Sequence, residues 1–466
     1  MSKIIALLAI IMTVITASTP AAAQSGPLGT WEGAIHVMGQ ELPITVVFTA
    51  TDKGTIDIQG AMGLPLTNVK IAGQTVHFEL PAGLGLCVFE GEIKGDAISG
   101  SFTQGAAKGT FDLTVSKPTP APAPEPPPPY RQEDVKITNG PVTLAGTLTL
   151  PPAAGRHPAV VLITGSGAEN RDEEVFGFKV FRVLADQLTR QGIAVLRCDD
   201  RGVGGSSGST PNSTSEDFAT DVLADIAYLK TRPDIDTAHI GLIGHSEGGL
   251  IAPMVAARSR DVAFIVLMSG PALTGEQEML AQGQALVKLR GLGPDAVAKQ
   301  AETQHRMFDG AKQNLPWEEV GKQFRADADA QIAKLPEAQR AAAEQAAAQQ
   351  LATIAAQYKG LLTPWFRFFL SFDPVTVLEK VHCPVLAFFG ELDFQVPVDA
   401  NRPAMEQALA KAGNRDVTIK VLPKANHLYQ EATTGDVNEY TKLKKEFVPD
   451  LVPMMTSWIL GRVKDS

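Results

Sequence analysis

The 466-residue sequence predicts an α/β protein: a mostly parallel, doubly wound sheet with a helical insertion, preceded by a small antiparallel β domain. After residue 135, continuous apolar runs such as Ala159–Ile163 and Phe264–Met268 alternate with segments of helical periodicity. This alternation is typical of buried parallel strands that helices cover on both faces. Before residue 117, short stretches alternate polar and apolar residues between glycine-rich turns, which indicates antiparallel strands.

The first 23 residues have the pattern of a cleavable signal peptide. Lys3 precedes the apolar run Ile4–Ile15, and small residues lead to Ala21–Ala23, so we expect cleavage before Gln24. The apolar run is 12 residues long, whereas a membrane span needs ~20. No cysteine follows the cleavage site to carry a lipid. We therefore expect a secreted or periplasmic protein that keeps no membrane anchor.

Residues 24–116 form the predicted antiparallel β accessory domain. Its alternating stretches include Ile44–Phe48, Val76–Leu80 and Phe111–Val115, which predict a small β-sandwich or half-barrel. None of its residues suggests catalytic chemistry, so we interpret it as a module that binds a ligand or acts as a spacer. Residues 117–130 are rich in proline and predict an extended linker to the larger domain.

Residues 131–466 form the larger predicted domain. Its predicted strands are Val142–Leu150, Ala159–Ile163, Ile193–Leu196, Ile240–Ile243, Phe264–Met268, Val385–Phe389 and Val417–Val421. Its predicted helices are Phe176–Arg190, Phe218–Leu229, Leu250–Ala257 and a last helix that ends near Leu460. Residues 274–371 interrupt this alternation with Ala-, Gln- and Glu-rich helical periodicity. We predict that this insertion is a helical cap, because it follows the carboxyl end of a strand.

A Gly-x-Ser-x-Gly pattern at Gly244–Gly248 follows a predicted strand and opens a predicted helix. A tight strand-to-helix turn of this kind needs glycines and exposes the serine hydroxyl at the start of the helix. The same pattern occurs at Gly204–Gly208, but Ser, Thr, Pro and Asn follow it, which indicates a flexible loop. We therefore predict that Ser246, and not Ser206, is a nucleophile.

A nucleophilic serine needs a histidine base and a carboxylate that orients it. Asp393 follows the strand that ends at Phe389, and His427 follows the strand that ends at Leu422. Both lie past the carboxyl ends of predicted parallel strands, on the same edge of the sheet as the nucleophile. We predict a Ser246–Asp393–His427 triad, with Glu391 as the alternative acid.

The N–H groups of Glu247 and Ser166 are the predicted oxyanion donors, with Gly167 as the alternative to Ser166. Ser166 lies in the loop after the strand Ala159–Ile163. The stretch Asp199–Gly204 is interpreted as structural, with an Asp–Arg pair that braces the loop beneath the nucleophile. The aromatic stretch Trp365–Phe369 either lines an acyl pocket or packs the cap onto the sheet.

Composition excludes some classes of function. The formal net charge of −10 repels phosphate backbones, so we expect no nucleic-acid partner. The three cysteines predict neither a disulfide framework nor a metal site. Gly165-x-Gly167 lacks the third glycine of a dinucleotide fingerprint because Asn170 occupies that place. We therefore expect no cofactor and no metal.

Residues 135–462 resemble bacterial carboxylesterases of the α/β-hydrolase superfamily, grouped with serine aminopeptidase-like and prolyl oligopeptidase-like proteins. The matching stretches are Leu162–Gly167, Asp199–Gly204, Gly244–Gly249, Gly390–Pro397 and Asn426–His427. The resemblance implies an α/β-hydrolase fold and ester hydrolysis through an acyl-enzyme, on short or medium acyl chains. It does not cover residues 24–134.

Three hypotheses follow for the function. The first is a serine carboxylic ester hydrolase that acts on a small-molecule ester. The second is a serine exopeptidase, in which a cap carboxylate holds the substrate's α-amine; Glu302, Glu318 and Glu319 are the candidates. The third is a binding protein whose hydrolase domain is vestigial or secondary to the β module, and an intact triad argues against it.

Overall fold

The computed structural model describes residues 28–464, apart from 38–39, 59–60, 83–84, 105–106, 117–126, 290 and 292. The predicted signal peptide, residues 1–23, and most of the predicted linker, residues 117–130, lie outside the described residues. The chain divides into two compact units, Met1–Pro126 with Leu315–Gly360, and Pro127–Asn314 with Leu361–Ser466. The first unit thus includes part of the predicted cap.

The N-terminal part of the first unit is one antiparallel sheet of nine strands in the order β4-β3-β2-β1-β9-β8-β7-β6-β5. The strands are β1 (Gly29–Val37), β2 (Gln40–Ala50), β3 (Lys53–Ile58), β4 (Ala61–Pro65), β5 (Thr67–Ala72), β6 (Thr75–Ala82), β7 (Gly85–Lys94), β8 (Ala97–Gln104) and β9 (Ala107–Val115). The last strand of this order, β5, reaches the turn between β2 and β3, where the Ile71 N–H donates to the Thr51 carbonyl at 3.0 Å. Phe78 and Phe89 stack inside it with ring centroids 4.4 Å apart. The predicted antiparallel β domain is confirmed.

The second unit is built on an eight-stranded sheet in the order β10-β11-β15-β12-β16-β17-β18-β19. Its strands, with the separate hairpin β13–β14, are β10 (Arg131–Asn139), β11 (Val142–Leu150), β12 (His157–Ile163), β13 (Glu174–Val175), β14 (Phe178–Lys179), β15 (Ala194–Cys198), β16 (Ile235–His245), β17 (Phe264–Met268), β18 (Val385–Gly390) and β19 (Val417–Leu422). The pairs β10–β11 and β11–β15 are antiparallel, and the other pairs are parallel.

Helices cover both faces of this sheet and bury its apolar strands in two cores. Helices α2 (Ser215–Lys230), α3 (Gly248–Ala256) and α10 (Val398–Lys411) pack on one face, and α1 (Val180–Arg190) and α11 (Leu451–Lys464) pack on the other. Helix α1 begins after the predicted Phe176, because Phe176 and Gly177 have φ angles of +51° and +74° in the β13–β14 turn. The predicted fold class, a mostly parallel doubly wound sheet, is confirmed.

The helical insertion lies between β17 and β18. Its helices are α4 (Gly275–Leu289), α5 (Pro294–Lys312), α6 (Trp317–Ile332), α7 (Glu337–Leu361), α8 (Pro364–Ser371) and α9 (Val375–Leu378). Short 3₁₀ turns occur at Thr210–Asn212 and Val437–Glu439. None of the helices in the described ranges combines the length and apolarity that crossing a bilayer requires. The role of the insertion as a cap stays a prediction.

Candidate active site

Ser246 lies at the sharp turn between β16 and α3. Its φ angle is +53°, a left-handed conformation that costs an L-residue roughly 1–2 kcal/mol, and its N–H donates to the Met268 carbonyl at 2.9 Å. A Cβ atom on Gly244 would overlap the Gly248 carbonyl, and one on Gly248 would overlap the Ile163 carbonyl. The two glycines of the motif are therefore required by the close approach of backbone segments around the half-buried serine.

Asp393 and His427 form a buried hydrogen-bonded pair past the ends of β18 and β19. His427 Nδ1–H donates to Asp393 Oδ2 at 2.8 Å, and the two side chains are 3% and 0% exposed. Asp393 Oδ1 accepts from the N–H groups of Gln395 and Val396 at 2.9 and 3.0 Å. Burial alone would raise the pKa of Asp393, but the His427 ring and the Val396 N–H outweigh it and the pKa lies below its usual value.

This pairing fixes the protonation of the histidine. A carboxylate only accepts hydrogen bonds, so the proton of a neutral His427 ring lies on Nδ1 and the basic lone pair lies on Nε2. Ser269 and Tyr429 lie on the other side of the acid: the Tyr429 hydroxyl donates to the Phe388 carbonyl at 2.8 Å and lies 2.8 Å from Ser269 Oγ, and Ser269 helps to lower the pKa of Asp393. The arrangement is a histidine ring held in one tautomer by an ionised carboxylate.

His245 connects this pair to the turn at Ser246. Its Nε2–H donates to the His427 carbonyl at 2.9 Å, and the two imidazole ring centroids are 4.8 Å apart. His245 Nδ1 lies 2.8 Å from Oε1 of Glu173, a buried residue with 1% exposure. The structure therefore brings Ser246 next to a ring that touches His427. Sequence reasoning gave no role to Glu173 or to His245.

The segment Thr164–Gly167, here called the oxyanion loop after its predicted role, follows β12 beside Ser246. A Cβ atom on Gly165 would lie 3.3 Å from Ser246 Cβ, so this loop passes close to the serine. The Gly165 N–H donates to Glu173 Oε1 at 2.8 Å. Within the described residues, the N–H groups of Ser166 and Glu247 have no hydrogen-bond acceptor. Their role as oxyanion donors stays a prediction.

The Asp199–Gly204 stretch braces the neighbouring loops. Its aspartates and its arginine bind residues outside the stretch and do not pair with one another. Asp199 binds the Arg171 guanidinium, with Oδ1 at 3.0 Å from Nε and Oδ2 at 2.7 Å from Nη2. Arg201 instead binds Asp221, with Nε 2.7 Å from Oδ2. Asp200 accepts from the Thr164 hydroxyl at 2.7 Å and so holds the first residue of the oxyanion loop.

The side chain of Glu247 connects the turn at Ser246 to helix α8. Trp365 Nε1–H donates to Glu247 Oε1 at 2.8 Å, and the Ser215 hydroxyl donates to the same oxygen at 2.6 Å. Burial raises the pKa of Glu247, and these two donors oppose that rise. The Trp365 ring stacks on Phe369 with centroids 5.4 Å apart. The aromatic stretch thus packs part of the insertion against the residue that follows Ser246.

The buried carboxyl group of the insertion is Glu278, in the first turn of α4. Burial and the nearby Asp393 raise its pKa to about 8, although Asn401 Nδ2–H donates to its Oε1 at 3.2 Å. The residues suggested by sequence for holding an amine are exposed: Glu302 is paired with Arg306, and its side chain is 63% exposed. Glu318 and Glu319 are also exposed.

With this geometry established, comparison with known proteins identifies the family. The sequence model of the Alpha/beta hydrolase family matches residues 160–439, more than half of the chain. The chain therefore belongs to the alpha/beta hydrolase family. The match includes Ser246, Asp393 and His427, and it ends before α11, the last helix that packs on the sheet.

Two curated relatives are similar over part of the chain. Esterase EstD of Thermotoga maritima is 25% identical over 299 residues, which cover 64% of this chain and 60% of that protein. A putative carboxymethylenebutenolidase of Synechocystis sp. is 28% identical over 138 residues, covering 26% of this chain and 52% of that protein. The chain thus spans less than two thirds of the length of both relatives.

Two solved structures are also similar. Est1E from Butyrivibrio proteoclasticus aligns over 71% of this chain and 99% of its own, with 17% identity and a TM-score of 0.41. The Pyrococcus furiosus esterase PF2001 aligns over 63% of this chain and 83% of its own, with 18% identity and a TM-score of 0.37.

Proposed function

We propose that the protein is a serine carboxylic ester hydrolase that acts on short or medium acyl esters through Ser246, Asp393 and His427. The observation that carries the proposal is the buried 2.8 Å hydrogen bond from His427 to Asp393 beside the strained turn of Ser246. Similarity to an esterase, EstD, supports the same class of reaction. The reaction needs no cofactor.

In the proposed mechanism the Ser246 hydroxyl attacks the ester carbonyl while His427 Nε2 takes its proton. The tetrahedral intermediate collapses to an acyl-Ser246 ester, and His427 gives the proton to the departing alcohol. Water then attacks the acyl group, its proton passes to His427, and Ser246 regains a proton as the carboxylic acid leaves. Asp393 stays ionised and holds the imidazole throughout.

Two backbone N–H groups are assigned to stabilise the negative charge that develops on the carbonyl oxygen of the substrate. The N–H of Glu247 follows the nucleophile at the start of α3, and the N–H of Ser166 lies in the oxyanion loop. A donor of this kind typically stabilises the transition state by roughly 3–4 kcal/mol. The contacts of Glu247 with Ser215 and Trp365 hold its backbone in place, because they fix the side chain of the same residue.

The buried acid of α4 favours an ester over an aminoacyl substrate. An exopeptidase needs an ionised carboxylate to pair with the α-ammonium group of its substrate. Glu278 is buried and its Oε1 accepts from Asn401, and burial raises the pKa of its carboxyl group to about 8, which disfavours the ionised form. The cap residue Glu302 is exposed and already paired with Arg306. We therefore rank the exopeptidase second.

The test is a substrate panel on the full chain, comparing p-nitrophenyl esters of increasing acyl length with aminoacyl p-nitroanilides. We expect ester turnover that exceeds amide turnover and falls with long acyl chains. Ser246→Ala should lower kcat by about 10⁶-fold, because a triad acts as a unit. A fluorophosphonate probe should label the wild type and not this variant.

Three results would contradict the proposal. Near-normal ester hydrolysis by Ser246→Ala would place the nucleophile elsewhere. Amide turnover that equals or exceeds ester turnover would favour the exopeptidase. A wild type that neither labels nor turns over any substrate would favour the binding-protein hypothesis.

We also propose that the chain is exported and that residues 1–23 are removed, on the pattern of Lys3, Ile4–Ile15 and Ala21–Ala23. Mass spectrometry of the protein recovered from the periplasm or medium should then give Gln24 as the first residue. Recovery of the intact N-terminus from the cytosol would refute this proposal.

A further inference from the structure

A second buried histidine–carboxylate pair lies beside the first. Glu173 and His245 are 1% and 2% exposed, and Glu173 Oε1 lies 2.8 Å from His245 Nδ1. The same oxygen accepts the Gly165 N–H at 2.8 Å, and the opposite ring nitrogen of His245 donates to the His427 carbonyl at 2.9 Å. The proposed mechanism assigns neither side chain a proton transfer.

The contacts of this pair reach three segments that must be in register for catalysis. Gly165 belongs to the oxyanion loop, His245 directly precedes the nucleophile Ser246, and the carbonyl that His245 binds belongs to His427 itself. These segments follow β12, β16 and β19, so they are remote from one another in the sequence. The pair therefore connects the three by side-chain contacts.

The geometry also fixes how many protons the pair holds. The His427 carbonyl only accepts, so His245 Nε2 carries a hydrogen. A second hydrogen lies between His245 Nδ1 and Glu173 Oε1, as either an imidazolium with a carboxylate or a neutral ring with a carboxylic acid. The pair is neutral overall in both arrangements. It is therefore compatible with deep burial, where an isolated charge would be costly.

Glu173 is held rigidly at the price of local strain. Its φ angle is +47°, and the residues before it are anchored to the sheet: Arg171 binds Asp199, and Asp172 accepts from Arg197 Nε at 3.1 Å. A non-glycine residue keeps this conformation only when its surroundings fix it. Rigid anchoring is what a residue needs if it is to hold other segments in place.

We propose that Glu173 and His245 form a positioning pair that holds the oxyanion loop and His427 in register around Ser246. This inference rests on the proposed function of that site. Neither residue touches the reacting atoms. The pair acts on the transition state through the placement of the base and of the oxyanion donors, so its loss lowers kcat and leaves substrate binding largely unchanged.

Glu173→Gln is the sharpest variant because an amide cannot satisfy both the Gly165 N–H and His245 while His245 also donates to the His427 carbonyl. If its oxygen accepts the Gly165 N–H, a neutral His245 can donate to the amide or to the His427 carbonyl, and not to both. If its nitrogen faces His245, the Gly165 N–H loses its acceptor. We expect kcat to fall roughly 100-fold, as for a small misplacement of catalytic groups, with KM nearly unchanged.

The matched control is Glu174→Gln, the same change one residue along the chain. Glu174 forms a partly exposed ion pair with Lys179 at 3.5 Å, away from the three segments. A second pair of variants separates the two contacts of His245. His245→Gln keeps an amide donor near the position of Nε2, and His245→Asn keeps one near Nδ1, so the Gln variant should retain more kcat.

The measurements are kcat and KM on the ester that the wild type prefers, with folding checked by circular dichroism and melting. A kcat loss in Glu173→Gln no greater than in Glu174→Gln would overturn the inference, as would a loss confined to KM. If Glu173→Gln does not fold, equal kcat losses in the two His245 variants would overturn it. A wild-type protein without ester hydrolysis would count against the proposed function instead. If Ser246→Ala loses its activity while Glu173→Gln keeps a normal kcat, the positioning role alone would be overturned.

Discussion

The pattern Gly-x-Ser-x-Gly occurs twice in this chain, and its two serines have different surroundings. Ser246 lies at a strand-to-helix turn with φ at +53°. Ser206 is buried in the loop before α2, where its hydroxyl donates to the Asp199 carbonyl and accepts the Ala145 N–H, both at 2.8 Å. The loop around Ser206, expected to be flexible, is thus anchored to the sheet by hydrogen bonds.

The comparison teaches that the five-residue pattern does not define a nucleophile. The Ser206 hydroxyl is fully used in structural bonds, because its one hydrogen and a lone pair are both engaged. Ser246 is half-buried, close to the oxyanion loop, and next to a histidine that contacts His427. Three predictions test how far the roles of the two serines differ, beginning with the largest expected effect.

The first prediction concerns the acid that only the Ser246 site has. Asp393→Asn should lower kcat about 10⁴-fold, because an amide favours the wrong tautomer of His427 and leaves its cation unpaired. The matched control is Glu391→Gln, which changes an exposed carboxylate that accepts the Lys424 N–H at 2.8 Å. Steady-state kinetics on one ester decides, and a larger kcat loss in the Glu391 variant would make that residue the acid.

The second prediction concerns Ser206 itself. Ser206→Ala leaves the buried Ala145 N–H without its acceptor, so the free energy of unfolding should fall by about 1–3 kcal/mol while most of the turnover remains. Ser207→Ala is the matched control, since Ser207 makes a similar bond to the Thr143 N–H at 2.8 Å in an exposed position. Urea unfolding measures both. A Ser206 variant that is stable but inactive would contradict the assigned roles.

The third prediction concerns the pH dependence of stability near each serine. Glu278, beside Asp393, has its pKa raised from 4.5 to about 8 in the folded protein. The unfolded chain therefore loses this proton first, and its contribution to stability, complete below pH 4.5, declines as the pH rises to about 8. The slope is at most about 1.4 kcal/mol per pH unit.

Glu278→Gln should remove that alkaline decline, whereas Glu302→Gln, at an exposed position, should not. Asp199, beneath Ser206, responds in the opposite direction: burial would raise its pKa, but Arg171 and two backbone donors lower it. Its contribution is present above its usual pKa and is lost in acid. Unfolding curves between pH 4 and 9 test this, and an unchanged alkaline slope in Glu278→Gln would contradict it.

Much of this molecule follows from patterns that the sequence displays. Apolar runs such as Ala159–Ile163 and Phe264–Met268 lie in strands of the sheet, because buried parallel strands need apolar residues on both faces. Asp393 and His427 were predicted to lie together because each follows the end of a parallel strand. The structure adds the 2.8 Å hydrogen bond that joins the two side chains.

The rest depends on contacts that no pattern displays. Glu173 lies in a short stretch with Asp172 and Glu174, and nothing in its spacing separates it from these neighbours. Only the left-handed backbone and the hairpin that follows direct its side chain to His245. Glu278 was missed for a similar reason, since a helix exposes most of its glutamates and burial depends on what packs against it. The sequence alone gave no reason to prefer the buried Glu278 over the exposed Glu302.

The bond between Trp365 and Glu247 also gives the protein an optical reporter. Indole emission shifts with the polarity and charge around the ring, and this indole donates to the side chain next to the nucleophile. Acylation of Ser246 should therefore change the fluorescence of Trp365. The chain has four tryptophans, so replacing the other three by phenylalanine would leave a single intrinsic probe with which to follow the acyl-enzyme in real time.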